Sequence, residues 1–161
     1  MITKQLSDSL KDYASFLPVM QSYAIWSRQR TGTPAHYKCF LSKSALDAKE
    51  RELQHALPIL TDEEAEIIDA AAASVTYQSK TKHKLFEILI LSGWDCVDIY
   101  FSIPYVKKLM RQQGERFTVP LLEAKKKDLI EAVRGKLIEI EDSYNLESMR
   151  NAEADRRAER R

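Results

Sequence analysis

The chain has few residues of the types that punctuate or cross-link a fold: four glycines, five prolines and two cysteines among 161 residues. All-β domains need many turns, so the scarcity of glycine and proline favours long helices. Two cysteines, Cys39 and Cys96, are too few for the disulfide framework of a small secreted protein. Apolar runs are also short, as in Ile88–Leu91, whereas a membrane-spanning helix needs about 20 apolar residues. We therefore expect an all-α protein that works in the cytoplasm.

An excess of charge of one sign is lacking as well, because the formal net charge is only +1. The charges are nevertheless unevenly distributed. Residues 61–103 contain three Lys or Arg against eight Asp or Glu, whereas residues 104–136 contain nine against four. A phosphate backbone responds to local positive potential rather than to net charge. The basic segment 104–136 is therefore the part of the chain that favours DNA, and the acidic segment 61–103 could meet a basic protein surface.

The apolar residues, 44% of the chain, are numerous enough for one hydrophobic core. We predict a single compact helical domain over residues 1–150. A long C-terminal helix is expected to begin after Thr118 and to turn Leu122, Leu129 and Val133 inward. The segment 151–161 is charged and almost without apolar residues, which predicts a frayed helix end or a disordered tail.

Local signals predict where the other helices begin and end. Apolar residues recur at helical spacing from the N-terminus to Leu17, and Pro18 is expected to interrupt that helix. Thr61 and Glu64 have the spacing of a capping box. Residues 84–91 are apolar nearly all round, which predicts a helix at the centre of the core that ends at Gly93.

Short helices in the basic region suggest a helix-turn-helix, and two registers fit. In the first, residues 95–102 form the supporting helix and residues 104–113 form the recognition helix. In the second, residues 104–113 support residues 119–135. The lysine triplet 125–127 spans roughly 200° of a helix, so its three side chains do not all face one groove. The candidate DNA-binding residues of both registers are Tyr105, Lys107, Lys108, Arg111, Arg116, Thr118, Lys125, Lys126 and Lys127.

Patterns that would indicate an enzyme are missing from the sequence. There is no glycine-rich phosphate loop, no H-E-x-x-H and no G-x-S-x-G. His36 and Cys39 have half the spacing of a zinc site, but the other His and Cys residues are scattered, and a structural zinc needs four ligands. Cys96 is expected to be a buried structural thiol. We therefore predict no catalytic activity, no metal and no cofactor.

Four stretches carry a resemblance to a known family. Thr61–Val75 (TDEEAEIIDAAAASV) opens a helix with acidic residues, and Leu85–Tyr100 (LFEILILSGWDCVDIY) combines a buried helix, a glycine and the start of a helix-turn-helix. Tyr23–Tyr37 (YAIWSRQRTGTPAHY) precedes them, and Lys127–Leu137 (KDLIEAVRGKL) closes the pattern. In this order they resemble the antitermination protein Q family of lambda-like phages.

The resemblance implies a function that residue patterns alone do not give. Proteins of that family bind double-stranded DNA beside a late promoter, engage the host RNA polymerase with its sigma factor, and suppress pausing and termination. We therefore expect a transcription antitermination factor in the cytoplasm of a bacterial host cell, with pairing of protomers on the DNA left open. The alternatives are a helical phage DNA-binding protein of another role, such as a repressor or small packaging subunit, and a helical adaptor that does not bind DNA.

Overall fold

Seven α-helices and one π-helical turn build the part of the chain that the computed structural model describes, residues 2–31 and 56–161. No strand occurs within those two ranges, and the predicted all-α class is confirmed. None of the helices there is long and apolar enough to cross a membrane. The helices are α1 (Lys4–Ser9), α2 (Tyr13–Thr31), α3 (Asp62–Thr76), α4 (Lys80–Phe86, continued by the π-helical turn Glu87–Leu91), α5 (Cys96–Ser102), α6 (Tyr105–Gln112) and α7 (Val119–Glu159).

The π-helical turn lies at the centre of the hydrophobic core, as its apolar sequence predicts. It contacts α2, α5 and α7, and Ile88, Leu89 and Ile90 are buried among side chains from all of them. The π geometry is visible where the Ser92 N–H donates to the Glu87 carbonyl five residues back (2.9 Å). One continuous core therefore joins the N-terminal helices to α7.

Pro18 does not interrupt the N-terminal helix, and that prediction is wrong. The break lies between α1 and α2, and Pro18 is inside α2. Asp12 starts α2 there, because its carboxylate accepts a hydrogen bond from the Ser15 N–H (2.7 Å). Proline removes one helical hydrogen bond, but Phe16 and Met20 on either side of it are both buried in the core. Packing of both halves on the same core outweighs that local loss.

The acidic start of α3 holds the N-terminal helices in place. The predicted capping box is present: the Thr61 hydroxyl accepts from the Glu64 N–H, and the Glu64 carboxylate accepts from the Thr61 N–H (both 3.2 Å). The same carboxylate accepts from the Thr3 hydroxyl at the start of α1 (2.6 Å). Asp62 accepts from the Trp26 indole N–H of α2 (2.9 Å). These carboxylates therefore join α3 to α1 and α2.

Helix α7 packs against the core with its first half only. Leu122, Leu129, Val133 and Leu137 are buried, whereas every residue from position 142 onward is exposed. The segment 151–161, which we predicted as a frayed end or a disordered tail, continues the helix as far as Glu159. Alanine, glutamate and arginine are strong helix formers there, and pairs spaced four residues apart, such as Glu153 with Arg157 (2.5 Å), add further support.

Candidate nucleic-acid interface

Helices α5 and α6 follow the core helix through two short connections. Gly93 ends the π-helical turn with a φ of +70°, a conformation that favours glycine. Asp95 takes the N-cap position of α5, where its backbone carbonyl accepts from the Ile99 N–H (3.0 Å). Only Ile103 and Pro104 separate α5 from α6, and Ile103 is buried. This compact arrangement fixes α6 on the surface of the core.

One side of α6 is anchored in the core and the other is cationic. Val106, Leu109 and Met110 are buried. Lys107, Lys108 and Arg111 are exposed on the opposite side, and no ion pair with an acidic side chain is found for them among the described residues. Because the apolar side is fixed, these cations project from a rigid surface. Gly114, with a φ of +71°, follows the helix, just after the predicted helix 104–113 ends.

Two shallow surface concavities flank the cationic side of α6. Lys107 and Arg111 line both of them. Lys108 lines the first, and Arg116 lines the second. The structure thus brings together four of the predicted residues, Lys107, Lys108, Arg111 and Arg116, which we call the α6 cationic face. Two stacked aromatic rings, Tyr100 and Phe117 (centroids 4.7 Å apart), lie beside Arg116 in the second concavity.

Tyr105 joins this face to α4 through a lysine that the sequence analysis did not single out. The Lys84 ammonium donates to the Tyr105 hydroxyl (3.2 Å) and lies 5.3 Å from the centre of the Tyr105 ring. Lys84 is exposed, so it adds a fifth cation beside α6. The sequence carries no signal for this contact, because Lys84 is 21 residues from Tyr105 and lies within the acidic segment.

Two other predicted residues stabilise the connection between α6 and α7. The Thr118 hydroxyl accepts from the Leu121 N–H (3.3 Å) and so caps α7. The Lys125 ammonium lies 3.5 Å from both the Gln113 amide oxygen and the Glu115 carboxylate, and only 13% of its side chain is exposed. Both side chains are therefore engaged within the protein.

The remaining lysines of the triplet point elsewhere. The Lys127 ammonium lies 5.1 Å from the centre of the Tyr13 ring, on the side of α7 that faces α2. Lys126 is half-buried and close enough to Cys96 to act on its pKa. The three lysines therefore have different neighbours, in agreement with the wide angular spread expected of the triplet, and neither Lys126 nor Lys127 lines the two concavities beside α6.

Cys96 is buried, as predicted. Burial raises the pKa of its thiol, an effect that outweighs the opposing influence of Lys126. A raised pKa disfavours the reactive thiolate at neutral pH. Within residues 2–31 and 56–161, no group of His, Cys, Asp and Glu is arranged to hold a metal ion. His36 and Cys39 lie outside the described residues, as does part of the stretch Tyr23–Tyr37.

An exposed aromatic side chain adjoins the α6 cationic face. Phe101 on α5 is 74% exposed. Helix α5 is only two turns long, and its buried side is filled by Cys96 and Ile99. Phe101 rests edge-on against Tyr100 (centroids 5.0 Å apart), which lines the second concavity. The surface around α6 therefore combines cations with an accessible ring.

Comparison of the chain with protein-family models, with curated proteins and with solved structures found no match. The resemblance to the antitermination protein Q family stays a prediction that rests on the residues quoted above.

Proposed function

We propose that this chain is a transcription antitermination factor that binds duplex DNA through α6, with α5 as the supporting helix, in the cytoplasm of a bacterial host. The observation that carries the DNA-binding part is the α6 cationic face, fixed by the buried side of the same helix. The antitermination role, and with it the engagement of RNA polymerase and its sigma factor, rests on the resemblance to the protein Q family.

The geometry favours the first register over the second. A recognition helix needs free donors toward bases and phosphates. On α6, Lys107, Lys108 and Arg111 meet that need. On α7, by contrast, Thr118 and Lys125 are hydrogen-bonded within the protein. We therefore assign DNA contact to α6, with Lys84 and Arg116 reaching phosphates on either side.

Salt dependence tests whether these five cations meet a phosphate backbone. If four or five phosphates are neutralised, the slope of log K against log salt is about −3.6 to −4.5, and affinity falls by roughly two to three decades between about 50 and about 200 mM salt. Fluorescence anisotropy with promoter-adjacent duplexes measures this slope. Absence of binding at the lowest salt would remove the DNA-binding proposal.

Charge reversal locates the contact. Lys108→Glu and Arg111→Glu are each expected to weaken binding by about tenfold or more and to reduce the salt slope by about one to two. Both side chains are exposed, so the thermal midpoint is expected to stay nearly constant. Lys11→Glu, which changes an exposed lysine of the α1–α2 connection, is the matched control. If Lys126→Glu weakened DNA binding more than either α6 variant, the assignment of α6 as the recognition helix would be contradicted.

The antitermination role needs its own assay. Run-off transcription from a template with a downstream terminator is expected to show more read-through when the protein is present, and less enhancement with Arg111→Glu. Normal DNA binding without any change in read-through would retain the DNA contact and reject the antitermination role.

A further inference from the structure

The C-terminal half of α7 projects from the body of the protein without a neighbour among the described residues. Every residue from 142 to 161 is exposed, yet the helix continues to Glu159. A single unsupported helix of this length, about 27 Å, is only marginally stable in water. Three large hydrophobic side chains are exposed on it: Tyr144, Leu146 and Met149, the last 69% exposed. Leu146 lies about 60° from Met149 around the helix and Tyr144 about 140°, so a partner on one side of the helix would cover Leu146 and Met149.

A stripe runs along the outer side of this helix. At roughly 100° per residue, Ile138, Asp142, Met149 and Arg156 fall within about 40° of one another. Leu129, which faces the core, lies about 160° away from Met149 by the same spacing. A second chain could therefore cover the stripe without displacing the core.

Residues of the stripe lie at equal distances on the two sides of Met149, and the charges on those two sides are of opposite sign. Asp142 and Arg156 each lie seven residues from Met149, on opposite sides of it. Leu146 and Ala152 each lie three residues from it. The surroundings follow the same pattern: residues 139–149 contain four acidic and no basic residues, whereas residues 150–161 contain five arginines and three acidic residues.

We propose that the outer stripe of α7 pairs in antiparallel orientation with the same stripe of a second copy of this chain. With Met149 at the two-fold axis, Asp142 of each copy lies opposite Arg156 of the other, and Leu146 lies opposite Ala152. A parallel pair would place like charges against each other, Asp142 against Asp142 and Arg156 against Arg156, which is unfavourable. Pairing through α7 requires neither DNA nor RNA polymerase.

The contact area available on the stripe is small. A stripe from residue 138 to residue 160 is about 34 Å long and about 10 Å wide, which gives a few hundred Å² per copy. Stable interfaces bury about 1,200 Å² or more in total. We therefore expect weak association, weakened further by salt because the paired charges are exposed.

Sedimentation velocity from about 1 to about 200 µM tests the proposal, since a weak dimer must show concentration dependence. Asp142→Arg and Arg156→Asp are each expected to weaken association by about tenfold or more, and the variant carrying both changes is expected to restore it. Asp155→Arg makes the same charge change about 120° away from Met149 around the helix and is expected to have little effect. A monomer at every concentration, or an equal loss from Asp155→Arg, would overturn the proposal.

Cysteine cross-linking distinguishes the orientation. In the antiparallel pair, Asp142→Cys protein mixed with Arg156→Cys protein is expected to form a disulfide-linked heterodimer, and neither variant alone exceeds the background of the parent chain. Met149→Cys is expected to cross-link with itself, whereas Ser148→Cys, on another side of the helix, is not. Efficient self-cross-linking of Asp142→Cys would indicate a parallel pair and refute the antiparallel one.

Discussion

Glu64 allows the sharpest test of how the N-terminal helices are held. Its side chain is only 2% exposed and accepts three hydrogen bonds. Two come from the backbone N–H and hydroxyl of Thr61 (3.2 and 3.1 Å), and one comes from the hydroxyl of Thr3 (2.6 Å). Replacement by alanine removes all three hydrogen bonds at once, two at the start of α3 and one between α3 and α1.

The expected cost follows from these contacts. Loss of the capping box lowers the free energy of unfolding by about 1 kcal/mol. Loss of the hydrogen bond from Thr3 to the carboxylate removes about 1.5–3 kcal/mol. Glu64→Ala is therefore expected to cost about 3 kcal/mol, a large part of the roughly 5–15 kcal/mol typical of a domain. Glu63→Ala, in the same helical turn but exposed, is the control and is expected to cost about 0.3–1 kcal/mol.

Urea unfolding followed by circular dichroism measures these values, and a double-mutant cycle isolates the link between the helices. Thr3→Ala also removes the cap of α1, where the Thr3 hydroxyl accepts from the Leu6 N–H (3.3 Å), but that loss cancels in the cycle. The coupling between Thr3 and Glu64 is expected to be about 1–2 kcal/mol. A coupling below about 0.3 kcal/mol would show that the two helices are joined by other contacts.

Two further predictions concern a turn and a buried hydroxyl. Gly93→Ala is expected to lower the free energy of unfolding by about 1–3 kcal/mol, because the φ of Gly93 is +70° and a Cβ would lie 2.8 Å from the Arg28 guanidinium. Gly135→Ala is the control, because Gly135 lies within α7 with open space around it. This variant is expected to be neutral or stabilising by up to about 1 kcal/mol. Burial and the hydrogen bond to Asp69 raise the pKa of Tyr23 above its usual 10.0. A raised pKa in the folded state gives stability that is present below pH 10 and lost above it. As the pH rises from about 9 to about 11, the urea concentration at the unfolding midpoint should therefore fall more steeply for the parent protein than for Tyr23→Phe. Parallel curves of midpoint against pH would contradict this.

Helix ends were predictable from the sequence wherever the stabilising chemistry is local. The capping box at Thr61, the cap at Thr118 and the stop at Gly93 each depend on residues within a few positions. The cost of Pro18 is also local, but it was outweighed by the packing of residues that lie far apart in sequence. The spacing of Asp12 and Ser15 was the available signal for the true start of α2.

The candidate interface was only partly predictable for the same physical reason. Periodicity within α6 separates buried from exposed positions, so Lys107, Lys108 and Arg111 could be identified from their own helix. Lys84 could not, because its position beside α6 depends on its tertiary contact with Tyr105. The ion pair between Lys125 and Glu115 could not be predicted either, because it depends on the path of the connection between α6 and α7.

Charge counted along the chain is not charge on a surface, and the acidic segment 61–103 shows why. Glu64 is buried, Asp62 accepts from the Trp26 indole, and Asp69 accepts from the Tyr23 hydroxyl. These three carboxylates bind α3 to α1 and α2. Because they are hydrogen-bonded within the protein, they contribute less to an acidic surface that polymerase could contact. The α6 cations, in contrast, are exposed on a helix whose other side is buried. A run of charge therefore indicates a binding surface only where the fold leaves the charged groups without partners inside the protein.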